Sequence, residues 1–534
     1  MRPEFCFETR LNEHLKSTEM VRHQTGLELI NTRLWIQELT QKYERQIKID
    51  IVPDEEWQKL FEKYDSFWFM GIYTPSQESK DHAKIYTDQY RYAIPQIDSE
   101  KDVTGSPYAI PEYAPNFLIA DGWDAWDKMV EKLHTNNKKV FVDFVPNHTA
   151  VDHPWAKQHP EYFIQGTDGQ YNNNRSFYKK VEAENGKTYY LAHGKDPNYS
   201  EWADTLQLNY ANPKVQKEME DILLNLVNHA DGVRCDMAML LNPSTFLRTW
   251  GWCLSDQEKD YIQGNEFWKN VVPKVKERAK DLGKSDFEFV AEAYWDKEEL
   301  GKYFDYIYND EFYKHIKKII KNDQSPSDLR NHLNYIINVN HQGRHYKDVL
   351  YTENHDEERS FHEFGKEPSK AAAVLAGLIP DALFLVNQGQ EDGKQIRPPM
   401  QISRFPEEVP DMEMQRFYKD LLTFKHSKLF QENNWKVYDT STRHASMIAL
   451  EVSNQVDNVG AIVCVNFGNN YADCSLPKID NKNDVEIYSL SRGENIVPDK
   501  IRNNGIYIGL SPWETQIVFY SKSKIEQTLR QNLN

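Results

Sequence analysis

The stretch YTENHDEER (351–359) follows an aliphatic DVL (348–350), and six of its nine side chains are acidic, basic or imidazole. Taken alone, a run Val349-Leu350-Tyr351-Thr352 that drives into His355, Asp356 and Arg359 reads as a strand followed by a charged surface loop. The chain on either side changes that reading, because it repeats one rhythm: amphipathic helix, short break, apolar strand.

Trp126, Met129, Val130 and Leu133 recur at helical spacing, and the strand KVFVDFV (139–145) follows. Asn212 and Pro213 read as N-cap and first helical residue. Val215, Met219, Ile222, Leu223 and Leu226 continue that face, and DGVRCDMA (231–238) follows. Val275, Ala279 and Leu282 form the next stripe, stopped by Gly283, ahead of FEFVAEAYW (287–295). Leu329, Leu333, Ile336 and Ile337 precede VLYTENHDE, and AAAVLAGLI precedes ALFLVNQGQ (382–390). With FWFMGIY (67–73) and FDYIYND (304–310), seven strands are predicted, and the eighth is expected near SPYAIPEY (106–113). Continuous apolar strands alternating with helices imply a parallel sheet closed into a (β/α)8 TIM barrel.

Residues 1–148 and 210–428 are assigned to that barrel. The interval 149–209 breaks the rhythm. It is rich in Asn, Gly, Asp, Lys and Tyr, carries no clear helix, and is too long for a plain loop, so it reads as an inserted domain after strand three. After about residue 430 the period becomes two, in SMIALEV, AIVCVNF, VEIYSL and TQIVFY. Residues 429–522 are therefore expected to form an antiparallel β-sandwich, with 523–534 a polar helical tail. The run QESKDHAK (77–84) reads as a solvated loop.

The bulk numbers narrow the function. The chain has 534 residues, 27% charged, with a mean hydropathy of −0.76. No apolar run reaches bilayer length, so no membrane partner is expected. A net charge of −18 argues against nucleic acid, whose phosphates would be repelled. Five scattered cysteines and an N-terminus without an apolar core lead to the expectation of a cytoplasmic protein.

Charged residues end four of the strands: Asp143 and His148, Arg234 and Asp236, Glu292, then His355 and Asp356. An ionised carboxylate in an apolar strand is costly unless paired. One such residue could be a structural ion pair. Four strands ending this way point to the face of a barrel where catalytic sites are built. Paired carboxylates suit glycoside chemistry, one as nucleophile or base and the other holding a proton for the leaving oxygen. Residues 234 and 236 fall on one side of their strand, so Arg234 would keep Asp236 ionised.

These segments resemble the α-amylase family, glycoside hydrolase family thirteen, along the whole chain. DFVPNH (143–148), GVRCDMA (232–238), VAEAYW (290–295) and ENHDE (353–357) are similar to its four motifs, in order. The resemblance implies Asp236 as nucleophile, Glu292 as general acid and then base, and Asp356 as the group that holds sugar hydroxyls. It implies His148, His355, Asp143 and Arg234 as supporting residues, and Tyr108 in GSPYAIPEY as the platform under the sugar. Residues 239 and 240, often Lys-His in the family, are Met239 and Leu240. In LQLNY (206–210) a position that commonly holds a calcium-binding Asp is Gln207, so no cofactor is expected. Gly105 stands where many exo-acting relatives carry an Asp.

The leading expectation is a retaining glycosidase on α-linked glucosides or α-glucans. A transglycosylase on the same machinery is the alternative, separated only by whether water or a sugar hydroxyl attacks. A non-catalytic amylase-like binding protein would be expected to lose its carboxylates. A metal hydrolase would use His148, His355, Asp236 and Asp356 as ligands.

Overall fold

Short apolar runs become strands here because both of their faces are covered. The computed structural model describes residues 26–521, apart from 285, 428, 432, 433, 439, 441, 442, 455–458, 477–484, 497–500, 503 and 504. Cys6 and the expected tail at 523–534 lie outside the described residues. Eight parallel strands close into a barrel: β1 Gly26–Asn31, β2 Ser66–Met70, β3 Lys139–Phe144, β4 Gly232–Cys235, β5 Glu288–Ala291, β6 Tyr306–Tyr308, β7 Lys347–Leu350 and β8 Leu383–Asn387. Their order around the ring is β1-β8-β7-β6-β5-β4-β3-β2.

Two expectations are corrected. The missing strand is not near SPYAIPEY but at GLELIN, Gly26–Asn31, so FWFMGIY supplies the second strand rather than the first. GLELIN runs straight into the helix Thr32–Lys42, with Asn31 as the junction, and with no loop between them its short apolar pattern merges with the helical one. SPYAIPEY lies in the long connection after β2. Its Tyr108, Ala109 and Ile110 are buried without pairing in the barrel, which is why they read as strand. QESKDHAK is a helix, Gln77–Lys84, capped by the Ser76 hydroxyl, which accepts the Ser79 amide at 3.0 Å.

By internal packing the described chain divides into two units. The first holds Leu27–Tyr308 with Ile396–Glu407. Within it, the segment after β3 builds two small sheets. His148–Ala150 pairs antiparallel with Thr205–Gln207, and Thr188–Ala192 lies between Gln165–Gly166 and Tyr178–Glu182. Its helices stay short, at Trp155–Gln158 and Asp168–Asn173.

The second unit holds Asn309–Gln395 and the described chain from Glu408. It contributes β7, β8, the helix Met412–Lys425 and two antiparallel sheets of six and three strands. Met447, Ala449, Ile462, Cys464 and Val518 of the larger sheet share one buried core with Cys474, Leu476, Ile506 and Ile508 of the smaller, so the C-terminal part is a sandwich. Cys235, Cys253, Cys464 and Cys474 are all free. No helix among the described residues is long and apolar enough to cross a membrane.

Candidate active site

Three adjacent strands place the first group of charges. In register, Asp143 of β3 lies beside Arg234 of β4, and Arg234 beside Val290 of β5. Asp236 and Glu292 each fall one residue past a strand end, yet their amides continue the ladder. The Asp236 N–H donates to the Phe144 carbonyl at 2.9 Å and the Glu292 N–H to the Cys235 carbonyl at 3.1 Å. The backbone of both carboxylates is therefore fixed by barrel hydrogen bonds.

One guanidinium joins them. Arg234 Nη1 meets Asp236 Oδ1 at 2.6 Å, and Nη2 meets Glu292 Oε2 at 2.8 Å. Asp143 Oδ1 lies 3.7 Å from Nη1. Arg234 is fully buried, with the rings of Trp68, Tyr108 and Tyr308 at 4.9, 5.4 and 5.8 Å from its guanidinium carbon. Burial works against its charge, but Glu292, the two tyrosines and Asp236 outweigh that and hold it protonated. Burial drives the Asp143 carboxyl up to about 7, against the pull of Arg234 and with the push of the Asp236 charge. Near neutral pH Asp143 is thus partly protonated, and the cation faces the other two acids.

A backbone turn supports Glu292 from the other side. Met237 has a left-handed backbone, φ 44°, rare for a side chain with a Cβ. Its N–H donates to Glu292 Oε2 at 2.8 Å. The Tyr294 hydroxyl donates to Oε1 at 2.9 Å.

Tyr108 and His148 are buried in the same unit. Burial pushes the His148 imidazole down to about 4, so it is neutral at neutral pH. The ring of Trp202 lies 5.1 Å from it. Arg33, just past β1, is an anchor that the sequence reading missed along with β1. It donates from Nε to the Gly71 carbonyl and from Nη1 to the Gly105 carbonyl, at 3.1 and 3.0 Å. Gly105 has φ 79°, and a Cβ there would lie 2.7 Å from the Lys80 amide nitrogen. An aspartate is excluded at 105 by backbone geometry. Met239 and Leu240 are buried, and Trp295 donates to the Thr245 hydroxyl at 3.0 Å.

Gln207 is fully buried, and its Nε2 donates to the Asn147 carbonyl, to Asn147 Oδ1 and to the Leu208 carbonyl at 2.9, 3.0 and 3.2 Å. Calcium needs the bare lone pairs of six or more oxygens, and here the two hydrogens of one amide are shared among three of them. The residues present do not fit that ion. Among the described residues no group of three His, Cys, Asp or Glu stands where it could hold a metal.

In the second unit the opening stretch divides in two. Glu353 and Arg359 point inward as a buried ion pair, 2.7 Å apart. Glu353 also accepts from the Ser360 amide and hydroxyl and from Asn387, at 2.7, 2.9 and 3.0 Å. Arg359 was expected to meet an active-site carboxylate, Glu357 or Glu358; its partner is Glu353. Asn354 Oδ1 accepts the amides of Asp356 and Glu357, both at 2.9 Å, and shapes the turn. His355 Nε2 lies 3.1 Å from Asp356 Oδ2. Gln390 is buried and donates to Thr352 and Tyr418.

A closed ring of parallel strands, with a carboxylate–guanidinium cluster at strand ends β3 to β5, defines a (β/α)8-barrel protein with a charged centre where such barrels carry their sites. The chain belongs to the alpha-amylase family, whose catalytic domain matches residues 121–420. It is 24% identical over 358 residues to Alpha-amylase MalA of Haloarcula japonica, covering 66% of this chain and 46% of that protein. It is 25% identical over 371 residues to an oligo-1,6-glucosidase of Parageobacillus thermoglucosidasius, covering 62% and 61%. An alpha-amylase structure from Lactobacillus plantarum superposes with a TM-score of 0.65 at 15% identity, over 93% of this chain and 98% of that one. The chain spans about half the length of the first curated relatives it matches.

Proposed function

We propose that the protein is a retaining glycosidase that acts on α-linked glucosides or α-glucans. In this reading Asp236 attacks the anomeric carbon and Glu292 gives its proton to the leaving oxygen. A covalent glycosyl-enzyme forms; Glu292 then takes a proton from water, whose oxygen displaces Asp236. Arg234 keeps Asp236 ionised. Tyr108 would lie under the sugar, while His148, neutral at working pH, and His355 with Asp356 would bind its hydroxyls. No metal takes part.

The observation that carries the reading is the single guanidinium between Asp236 and Glu292, at 2.6 and 2.8 Å. It gives two acids, neighbours at strand ends, a common counter-charge and a fixed separation. Support also comes from the relatives' names, which are amylases and oligo-1,6-glucosidases.

The test is product analysis by proton NMR after incubation with maltooligosaccharides in chelator. The expected first products carry the α configuration, and Asp236→Asn and Asp356→Asn abolish their release. Longer products would assign the transfer alternative. Unchanged turnover in Asp236→Asn, or first products of β configuration, overturns the proposal.

A further inference from the structure

We infer that Tyr294 is the positioning residue that fixes which oxygen of Glu292 carries the transferable proton and steadies the carboxyl in both of its protonation states; this rests on the role proposed for Glu292. The two oxygens are not equivalent. Oε2 receives the Met237 N–H and faces Arg234 Nη2, both at 2.8 Å. An amide N–H and a guanidinium donate and never accept, so a proton on Oε2 would meet the Met237 hydrogen on one side and the positive charge of Arg234 on the other. The proton belongs on Oε1, where the Tyr294 hydroxyl stands at 2.9 Å. A hydroxyl both donates and accepts. It donates to Oε1 while Glu292 is ionised and turns to accept once Oε1 is protonated, keeping its own hydrogen throughout.

The backbone around Tyr294 is braced for this. Glu292 and Tyr294 are two residues apart past the end of β5. The following residues are tied to the helix Pro243–Trp250 through one side chain: Thr245 accepts from Trp295 Nε1 and donates to Asp296 Oδ2, both at 3.0 Å. Asp296 takes a left-handed backbone, φ 55°, to reach it. The titratable and charged groups around the Glu292 carboxyl include Arg234 and Asp236 at the end of β4 and Asp143 of β3, with Tyr108 and Tyr308 over the guanidinium. None of these meets Oε1 in the way Tyr294 does: Arg234 takes Oε2, and the others face the guanidinium.

The test is the pH profile of kcat/KM for Tyr294→Phe, measured on a maltooligosaccharide and on α-glucosyl fluoride. Of the two hydrogen bonds the one to the ionised carboxylate is charge-assisted and the stronger, so removing the hydroxyl is expected to raise the Glu292 pKa by about one unit. The alkaline limb on the oligosaccharide is therefore expected to move about one unit to higher pH. Fluoride needs little proton help, so the shift is expected to be absent with that substrate, which separates it from titration of Asp143. If Tyr294→Phe does not fold, 3-fluorotyrosine at 294 donates more strongly and must move the limb the other way. A limb that stays in place in these variants, while Glu292→Gln abolishes oligosaccharide turnover, overturns the Tyr294 inference alone. Full oligosaccharide turnover in Glu292→Gln overturns the underlying reading of Glu292 and the inference with it.

Discussion

Gln207→Asp takes an amide donor out of a buried nest of oxygens and puts a carboxylate in its place. In the wild-type chain Nε2 serves three acceptors, at 2.9, 3.0 and 3.2 Å, with no exposure to water. The two hydrogens of Nε2 are shared among the three oxygens, and at about 1 kcal/mol for each neutral hydrogen bond their loss costs about 2 kcal/mol. For a unit of this size that lowers the thermal midpoint by roughly 4–8 °C. The same substitution leaves Asn147 Oδ1, the Leu208 carbonyl and a carboxylate without the amide donor, with the Asn147 carbonyl still accepting the Leu208 N–H at 3.2 Å, and such a group of oxygens is what a divalent cation seeks. Calcium at a hundredfold excess over its dissociation constant returns about 2.7 kcal/mol, enough to offset the amount removed. The assay is circular-dichroism melting in chelator and in excess calcium chloride. The wild type is expected to melt at one temperature in both, and the variant low in chelator and near wild type with calcium. A wild-type midpoint that falls on chelation refutes the reasoning, as does a variant unmoved by chelator.

Asp143→Asn tests the buried acid. Its folded carboxyl is raised from 3.8 to about 7, so the folded state holds that proton more tightly. The stabilising effect is complete below pH 4 and is lost as pH rises through 7, by up to about 4 kcal/mol relative to the asparagine variant, read from urea unfolding at several pH values. His148 acts with the opposite sign: its folded imidazole is depressed to about 4, so its stabilising effect is present above 6.5 and is lost as pH falls through 4. His148→Gln should flatten that acid limb in the same titration. Arg359→Met strands Glu353 in the interior and should cost about 3–5 kcal/mol, with much of the loss recovered in the double variant Glu353→Met/Arg359→Met. Gly232→Ala would set a Cβ 2.4 Å from Phe141 Cε1 and 2.5 Å from the Glu288 carbonyl oxygen. That overpacking should cost about 1–3 kcal/mol in urea unfolding, or more, whereas Gly264→Ala, with nothing within 4 Å, should be neutral or mildly stabilising.

What the sequence conveyed was periodicity, and what it concealed depended on junctions. β3, β4, β5, β7 and β8 stood out because an apolar run of strand length followed a clear helical stripe. β1 did not, because Asn31 ends the strand and opens the helix with no break between. Arg33 was lost with it, although it repeats the pattern of a charge just past a strand end. The placing of Arg234 beside Asp236 followed from strand alternation. That Asp236 and Glu292 sit beyond the last strand residue did not, since the continuing hydrogen bonds come from their own amides. Tyr294 alternates with Glu292 and could have been marked by that spacing alone. The Glu353–Arg359 pair was out of reach, because which of the six ionisable side chains turns inward depends on Asn387 and Ser360, and Asn387 is far along the chain.

The left-handed residue at 237 has an evolutionary corollary. The hydrogen it offers to Glu292 belongs to the main chain, so nearly any amino acid supplies it and only an imino acid takes it away. Drift at this position should therefore favour glycine and asparagine, tolerate unbranched side chains, and never fix proline.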